Sequence, residues 1–170
     1  MLNSFSKVIL ITLFLHSSQL MAQIQVIKNI RSFGATSNGK TNDTEAFLKA
    51  AAFFNERGGN GTLLIPKGTY IVGKQIKGTA DIHTNAFGAV DILAFNHVQN
   101  LLIKGEAGSV LKYEDNLKFG CFDPVTGAVY NGFDAATTAN YVAVIGNCIS
   151  LTNCQDITIK MLALDGNNKK

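Results

Sequence analysis

A single amphipathic helix followed only by short strands constrains the fold of this chain more than any other feature. The helix pattern over residues 43–57 places four apolar residues on one stripe: Phe47, Ala50, Ala51 and Phe54. Asn42 and Glu45 are predicted to form a capping box at its start, and Gly58 or Gly59 to end it. No second amphipathic helix interrupts the β-like segments that follow, which argues against α/β crossovers. We therefore expect an all-β fold with one helix.

Two of the strand segments resemble each other. The stretch AFNHVQNLLIKG from Ala94 aligns with SLTNCQDITIKM from Ser150, so that Phe95 matches Leu151. Short strand, polar turn and short strand recur, as in a β-solenoid, where the inward apolar positions of one coil stack on those of the next. A β-sandwich also has short strands with turns. The single helix favours the solenoid, because it can serve as a lid over the open end of the first coil.

The first residues are typical of an export signal. Lys7 precedes the apolar run VILITLFL, which is far shorter than the ~20 residues that cross a bilayer. A polar patch then leads to LMA before Gln23. We predict a signal peptide over residues 1–22, cleaved after Ala22, and a secreted or periplasmic protein without a stable membrane anchor. An uncleaved N-terminal anchor is the alternative.

Charge and cysteine content exclude several classes of protein. The net charge is +3 without any basic run, so no nucleic-acid partner is expected, whereas a slight positive charge suits an acidic polysaccharide. Three cysteines are too few for a disulfide-stapled scaffold. Cys148 and Cys154 are interpreted as small apolar fillers, and whether they or Cys121 form a disulfide stays open. His83 and His97 have no neighbouring ligand set, so neither a metal nor a cofactor is predicted.

The opening of the chain resembles the N-terminal region of the pectate lyase superfamily, which includes polygalacturonases, related lyases and hydrolases, and some phage tailspikes. The resemblance is carried by IRSFGATSNGKTNDTEAF, GGNGTLLIPKGTYIV and NCQDITIKMLALDGN. Asn38 and Asn42 stand where this family usually has aspartates. The resemblance implies a right-handed parallel β-helix, with residues 23–170 as its N-terminal part.

The same resemblance implies a full-length protein that cleaves an acidic polysaccharide, such as pectin, by hydrolysis or β-elimination. A non-catalytic glycan-binding or tailspike-like module is the alternative. Calcium would enter only if the full-length protein is a lyase. The catalytic set of polygalacturonases is absent from this sequence, so no catalytic residue is assigned. We expect the chain to be truncated at its C-terminal end and inactive alone, with Ile157 and Ile159 in an open coil; no oligomeric state is predicted.

Several charged side chains are nonetheless candidates for a site. Three lie in a loop-like insertion and could form a cleft wall: Asp81, His83 and Asp91. Four could hold uronate or sulfate groups: Lys104, Lys112, Lys118 and Lys160. Three carboxylates are too widely spaced to predict a calcium site: Asp115, Asp123 and Asp134. For the first two sets we favour the plainer interpretation, that these are solvated surface residues.

The longest irregular segment, residues 113–141, carries aromatic residues. Tyr130, Phe133 and Tyr141 could stack against sugar rings. Long loops in compact folds tend to be functional or disordered. We favour the interpretation that these rings pack the segment onto the strands.

Overall fold

The computed structural model describes residues 25–78, 86–123, 125–130 and 142–168. The predicted signal peptide lies outside these residues, as do several candidate positions: Asp81, His83, Phe133, Asp134 and Tyr141. Strands dominate the described residues, which contain one α-helix, α1 (Thr44–Glu56), and a 3-10 helix (Ile30–Phe33). The strands are β1 (Val26–Asn29), β2 (Asn38–Asn42), β3 (Gly59–Ile65), β4 (Gly68–Val72), β5 (Gln75–Lys77), β6 (Phe87–Ala89), β7 (Leu93–Asn96), β8 (Gln99–Gly105), β9 (Ser109–Tyr113), β10 (Gly120–Cys121), β11 (Val142–Ala143), β12 (Ile149–Thr152), β13 (Gln155–Lys160) and β14 (Ala163–Asp165).

Parallel pairing organises most of these strands into three sheets, with the orders β1-β3-β8-β13, β2-β4-β9-β14 and β7-β12. The chain visits them along a recurring route: β3-β4, then β7-β8-β9, then β12-β13-β14. The helix α1 precedes β3 just as β7 precedes β8. The fold is therefore all-β with one helix, as predicted, and its parallel sheets fit a β-helix.

The strand register confirms the internal repeat found in the sequence. Phe95 pairs with Leu151, and Leu101 pairs with Ile157. These are the matches that the sequence alignment gave. Because the register is parallel and unshifted, equivalent side chains of consecutive passes lie directly above one another.

A backbone feature recurs at the same place on three neighbouring strands. Asn60, Asn100 and Asp156 all have φ between 51° and 54°, the left-handed region that Asn and Asp tolerate better than other side chains. The amide Nδ2 of Asn100 donates to Oδ1 of Asn60 at 3.2 Å. The polar turns of the repeat thus form a stack of their own.

The described parts of the two insertions between the parallel strands pair with each other. They form a sheet of order β10-β11-β6-β5, in which β5 pairs antiparallel with β6, and β10 with β11. Phe87 and Phe122 meet edge to face there, with ring centroids 5.3 Å apart. We call this sheet the side lobe. The sequence did not predict its strands, because they are only two or three residues long and show no alternation.

The predicted apolar stripe of α1 is confirmed. Phe47, Ala50 and Phe54 are fully buried, and Ala51 is 4% exposed. The stripe packs in one core with side chains of the parallel strands, among them Tyr70, whose ring meets that of Phe47 edge to face at 5.5 Å. The helix therefore contributes a wall of the core.

The side chain of Asn55, near the end of α1, pairs with β7 as a strand would. Its Nδ2 donates to the carbonyl oxygen of Ala94 at 2.9 Å, and its Oδ1 accepts from the backbone N–H of Asn96 at 3.0 Å. The other edge of β7 pairs with β12. The helix thus covers a strand edge that would otherwise leave backbone groups unpaired.

The predicted capping box at the start of α1 is wrong. The side chain of Glu45 does not reach back but pairs with the Nζ of Lys74 at 2.7 Å. Asn42 does accept from the backbone N–H of Thr44 at 2.9 Å, yet the N-cap residue is Asp43. The end of the helix agrees with the prediction, since Gly58 follows it with φ of 66°.

The buried carboxylate of Asp43 is used to fix the loop before β2 rather than the helix. It is 3% exposed and accepts from the backbone N–H groups of Thr36 and Ser37 at 2.7 and 3.0 Å, and from Oγ1 of Thr36 at 2.9 Å. The segment TSNGKTN, which is rich in turn-forming residues, contains the strand β2. Pairing with β4 overrides the turn propensity of its residues.

Apolar side chains of the last strands remain exposed within the described part of the chain. Ile159 is 42% exposed and Leu164 is 56% exposed, whereas Ile157 packs against the core. Cys148 and Cys154 also pack against the core and, with Cys121, are free thiols. No helix among the described residues is long and apolar enough to cross a membrane.

Candidate functional site

Three adjoining cavities lie along the carboxyl ends of the sheet β2-β4-β9-β14, and Glu114 lines all three. Their volumes are about 600, 500 and 320 Å³. We call this surface the Glu114 cleft. Its three parts are called the first, second and third cavity, from the largest to the smallest. Ligand sites are commonly concave surfaces of this size, so the cleft is the candidate functional site.

Residues from four separate passes of the chain build the cleft, because the ends of parallel strands meet at one edge. Glu114 follows β9 and donates its backbone N–H to the carbonyl oxygen of Val72, the last residue of β4. Asn42 ends β2 and donates Nδ2 both to the carbonyl oxygen of Gly73 and to Oε2 of Glu114, each at 2.9 Å. The carboxylate of Glu114 is thereby oriented by an amide from another strand.

A second asparagine, Asn167, makes hydrogen bonds within the cleft. Asn167 follows β14, and its Nδ2 donates to the carbonyl oxygen of Tyr113 at 3.0 Å and to Oδ1 of Asp115. Its own backbone N–H donates to Oδ1 of Asp165 at 2.8 Å. Both carboxylates after β9 therefore accept hydrogen bonds from asparagine amides, which fixes their directions.

Tyr113 lines the first and second cavities. Its hydroxyl donates to the carbonyl oxygen of Gly146 at 2.6 Å. Burial raises the pKa of Tyr113 to about 12, with smaller contributions from Cys148 and Asp91. The phenol therefore keeps its proton at neutral pH and acts as a structural hydrogen-bond donor rather than as an acid or a base.

Cations line only part of the cleft. Lys40 and Lys112 both line the second cavity, beside Glu114, Asp115 and Asn167. The Nζ of Lys112 lies 3.8 Å from Oδ2 of Asp165, a distance longer than a strong ion pair. A cation held this loosely can still receive the carboxylate of a ligand.

The third cavity carries an exposed ion pair, between Lys74 and Glu45. The hydrogen bond and the charge of Lys74 lower the pKa of Glu45. Exposed pairs of this kind contribute little to stability. They do fix the charge pattern at this end of the cleft.

The other lysines predicted from the sequence lie elsewhere. Lys104 and Lys160 pair in register on neighbouring strands of the sheet β1-β3-β8-β13, where both are exposed. The Nζ of Lys118 lies 5.8 Å from the ring centroid of Phe122 in the side lobe. Of the four lysines considered, only Lys112 lines the cleft.

Two of the predicted acidic residues have structural roles. Asp91 accepts from the backbone N–H and the side-chain amide of Asn147, at 2.7 and 3.2 Å, and so links two passes of the chain. Asp123 accepts from the backbone N–H groups of Val125 and Thr126 in a turn. The hydrogen bond from Thr126 is the largest influence that lowers the pKa of Asp123. Asp115, by contrast, lines the first two cavities.

Sequence reasoning missed four residues on which the cleft depends: Lys40, Glu114, Phe119 and Asn167. Phe119 is 83% exposed and lines the first cavity. Of the three aromatic residues considered, Tyr130 is the one that the structure describes, and its backbone N–H donates to the carbonyl oxygen of Cys121 in the side lobe. Glu114 and Asn167 each follow a strand of one sheet, but only the register of β9 with β14 reveals that they share a corner.

Calcium, which some lyases of the superfamily use, requires several converging oxygen ligands. Within the described residues no three His, Cys, Asp or Glu side chains converge in such a group. The described residues therefore do not fit a calcium site.

Comparison with known proteins gives one family. A family model described as rhamnogalacturonase A/epimerase, pectate lyase-like, matches residues 27–169, which is well over half of the chain. A comparison with curated proteins gives no significant match. The matched range includes every residue of the Glu114 cleft.

Proposed function

Because the chain belongs to the rhamnogalacturonase A/epimerase, pectate lyase-like family, we propose that it binds an acidic polysaccharide in the Glu114 cleft. Family membership indicates degradation or binding of a polysaccharide. The preference for an acidic one rests on a single observation: Lys40 and Lys112 line the same cavity of about 500 Å³. Two cations that line one cavity can receive uronate carboxylates, while the amide of Asn167 can bond sugar hydroxyls.

We also propose that the protein is a right-handed parallel β-helix located outside the cytoplasm. The three parallel sheets and the recurring route of the chain support a right-handed parallel β-helix in which α1 takes the place of a strand in the first complete turn. The export pattern of residues 1–22 supports a secreted or periplasmic protein that begins at Gln23 after cleavage. A location outside the cytoplasm would give the cleft access to extracellular glycans.

The proposed reaction of the full-length protein is cleavage of the acidic chain, by hydrolysis or by β-elimination. Hydrolysis needs a carboxylic acid and a second carboxylate across the sugar. Elimination needs a base for the proton beside the uronate carboxyl and a cation for the developing charge. Glu114, Asp115 and Lys112 offer both kinds of group in one cleft, although two of the carboxylate oxygens already accept from amides.

Binding is tested by calorimetric titration of the mature chain with hexagalacturonate. We expect Lys40→Met with Lys112→Met to weaken binding at least tenfold and to reduce its salt dependence. Lys104→Met with Lys160→Met removes the same charge from another sheet and should leave the affinity unchanged. Equal losses in both double variants would show that only net charge matters, and the cleft would then be rejected as the site.

Cleavage is tested separately from binding. Reducing ends that appear with ultraviolet absorbance indicate elimination, and reducing ends without it indicate hydrolysis. Binding in the cleft with neither product, in the full-length protein, would favour the alternative of a non-catalytic glycan-binding module.

A further inference from the structure

Phe119 has the most exposed large apolar side chain among the described residues, at 83%. It stands at the first cavity of the Glu114 cleft, where Leu117 and Ile145 supply the other apolar lining. An aromatic ring left in water at the mouth of a cavity contributes nothing to the core and is a surface available to a ligand. Its place at the cavity makes the ring a candidate contact for a ligand.

The backbone just before Phe119 is held firmly although the ring is free. Gln75 accepts from the backbone N–H of Lys118 with Oε1 at 2.6 Å, and donates Nε2 to the carbonyl oxygen of the same residue at 2.8 Å. The same Nε2 donates to the carbonyl oxygen of Val144 at 2.8 Å. One side chain thus anchors this backbone to β5 and to the residues after β11. A ring carried by a fixed backbone loses less conformational freedom on ligand binding than a ring on a mobile loop does.

The polar lining of the first cavity is rich in amides. Asn116, Asn167 and Asn168 line it together with Glu114 and Asp115. Planar amides and carboxylates can each bond two neighbouring hydroxyl groups, and a sugar ring offers such hydroxyls at its edge. One face of many sugar rings is lined by C–H groups, which bury apolar surface against an aromatic ring.

The charge of the first cavity differs from that of the second. None of the described residues that line it is Lys, Arg or His, whereas two are carboxylates. A uronate would meet repulsion there, because like charges at close range disfavour binding. An uncharged sugar would not.

We propose that the first cavity is a subsite for an uncharged sugar ring that stacks on Phe119 and hydrogen-bonds to the amides and carboxylates beside it. The inference rests on the proposed function, since it extends the same cleft. It adds that the cleft sorts sugars by charge, with the acidic unit beside Lys40 and Lys112 and the neutral unit beside Phe119.

The chain contains no tryptophan, which makes a direct test available. Phe119→Trp keeps an aromatic surface and places a lone fluorescent reporter in the subsite. We expect its emission to change when a neutral oligosaccharide, xylohexaose or β-1,4-galactohexaose, is added to the mature chain. Hexagalacturonate should bind with its affinity unaltered by Phe119→Ala, or altered far less than that of the neutral probe.

The size of the effect is measured by calorimetry with the neutral oligosaccharide that binds. Phe119→Ala should weaken its binding at least tenfold, while Phe119→Tyr should stay within threefold of the unsubstituted chain. Val129→Ala is the control, because Val129 is also exposed, at 68%, but does not line the cleft. Melting curves of all variants should coincide, since neither side chain is buried.

Each outcome bears on one proposal or the other. Failure of both neutral probes to bind, or equal binding with and without the Phe119 ring, overturns the subsite. Phe119-dependent binding of a neutral probe in a chain that does not bind hexagalacturonate supports the subsite and rejects the acidic polysaccharide. A loss of hexagalacturonate binding in Phe119→Ala as large as that of the neutral probe overturns the sorting by charge.

Discussion

Replacing Phe47 by alanine should unfold this protein more readily than any change on the opposite face of α1. The Phe47 ring is fully buried and meets the ring of Tyr70 edge to face, with an interplanar angle of 89°. Deleting a buried phenylalanine side chain costs about 3–5 kcal/mol through lost transfer energy and the cavity left behind. The free energy of unfolding of a typical domain is only about 5–15 kcal/mol, so this substitution would remove a large part of it.

Thermal unfolding followed by far-ultraviolet circular dichroism gives the measurement. For a chain of this length, a loss of ~3–5 kcal/mol corresponds to a decrease of roughly 6–20 °C in Tm. Urea titration at 25 °C should give the same loss of unfolding free energy if the transition is two-state.

Phe119→Ala is the matched control, because it deletes the same atoms from a ring that is 83% exposed. Its effect should stay within about 0.5 kcal/mol. Equal effects of the two substitutions, or a loss below ~1 kcal/mol for Phe47→Ala, would refute the reasoning that α1 forms part of the core rather than a loosely attached segment.

Three further predictions concern the strand register, the helix edge and pH. A Cβ at Gly105 would lie 2.0 Å from the carbonyl oxygen of Met161, so Gly105→Ala should lower the free energy of unfolding by about 1–3 kcal/mol. Gly166→Ala is the control, because a Cβ there meets open space and should leave the thermal unfolding curve unchanged. Asn55→Leu leaves two backbone groups of β7 without their partner and should cost about 1–3 kcal/mol in urea titrations, together with faster hydrogen exchange along β7. Burial raises the pKa of Cys148 from 9.0 to about 11, so the unfolded thiol ionises first and stability should fall between those pH values; Cys148→Ala should flatten that part of the unfolding profile.

The sequence predicted the elements that follow from periodicity. The stripe on α1 and the repeat between residues 94–105 and 150–161 both depend on apolar spacing, and the structure confirms both. The strand β2 could not be found in this way, since all its residues are exposed and three of the five are Asn or Gly; its strand conformation comes from pairing with β4. The side lobe was missed for the same reason, because its short strands are stabilised by one another.

The departure at Asn42 illustrates why the site was harder to predict than the fold. The sequence shows asparagine where the family usually has aspartate, and either side chain has an oxygen that can cap a helix. The structure distinguishes them, since Asn42 donates Nδ2 to the carboxylate of Glu114. An ionised aspartate has no proton to donate and would repel Glu114. Glu114, which accepts the hydrogen bond from the amide of Asn42, is 72 residues away in the chain, so no local sequence pattern reveals this contact.

The register of the parallel strands decides which residues are buried in the core and which side chains meet in the Glu114 cleft. Lys40, Lys112 and Asn167 come from three different passes of the chain and line one cavity only because their strands are aligned. A slip of one residue would exchange the outward and inward faces of a strand, so that Lys112 would enter the core and Leu111 would face the cleft. The close backbone contact at Gly105 and the edge contacts of α1 resist such a slip from outside the cleft. Substitutions there should consequently disturb sugar binding without touching any residue that contacts the sugar.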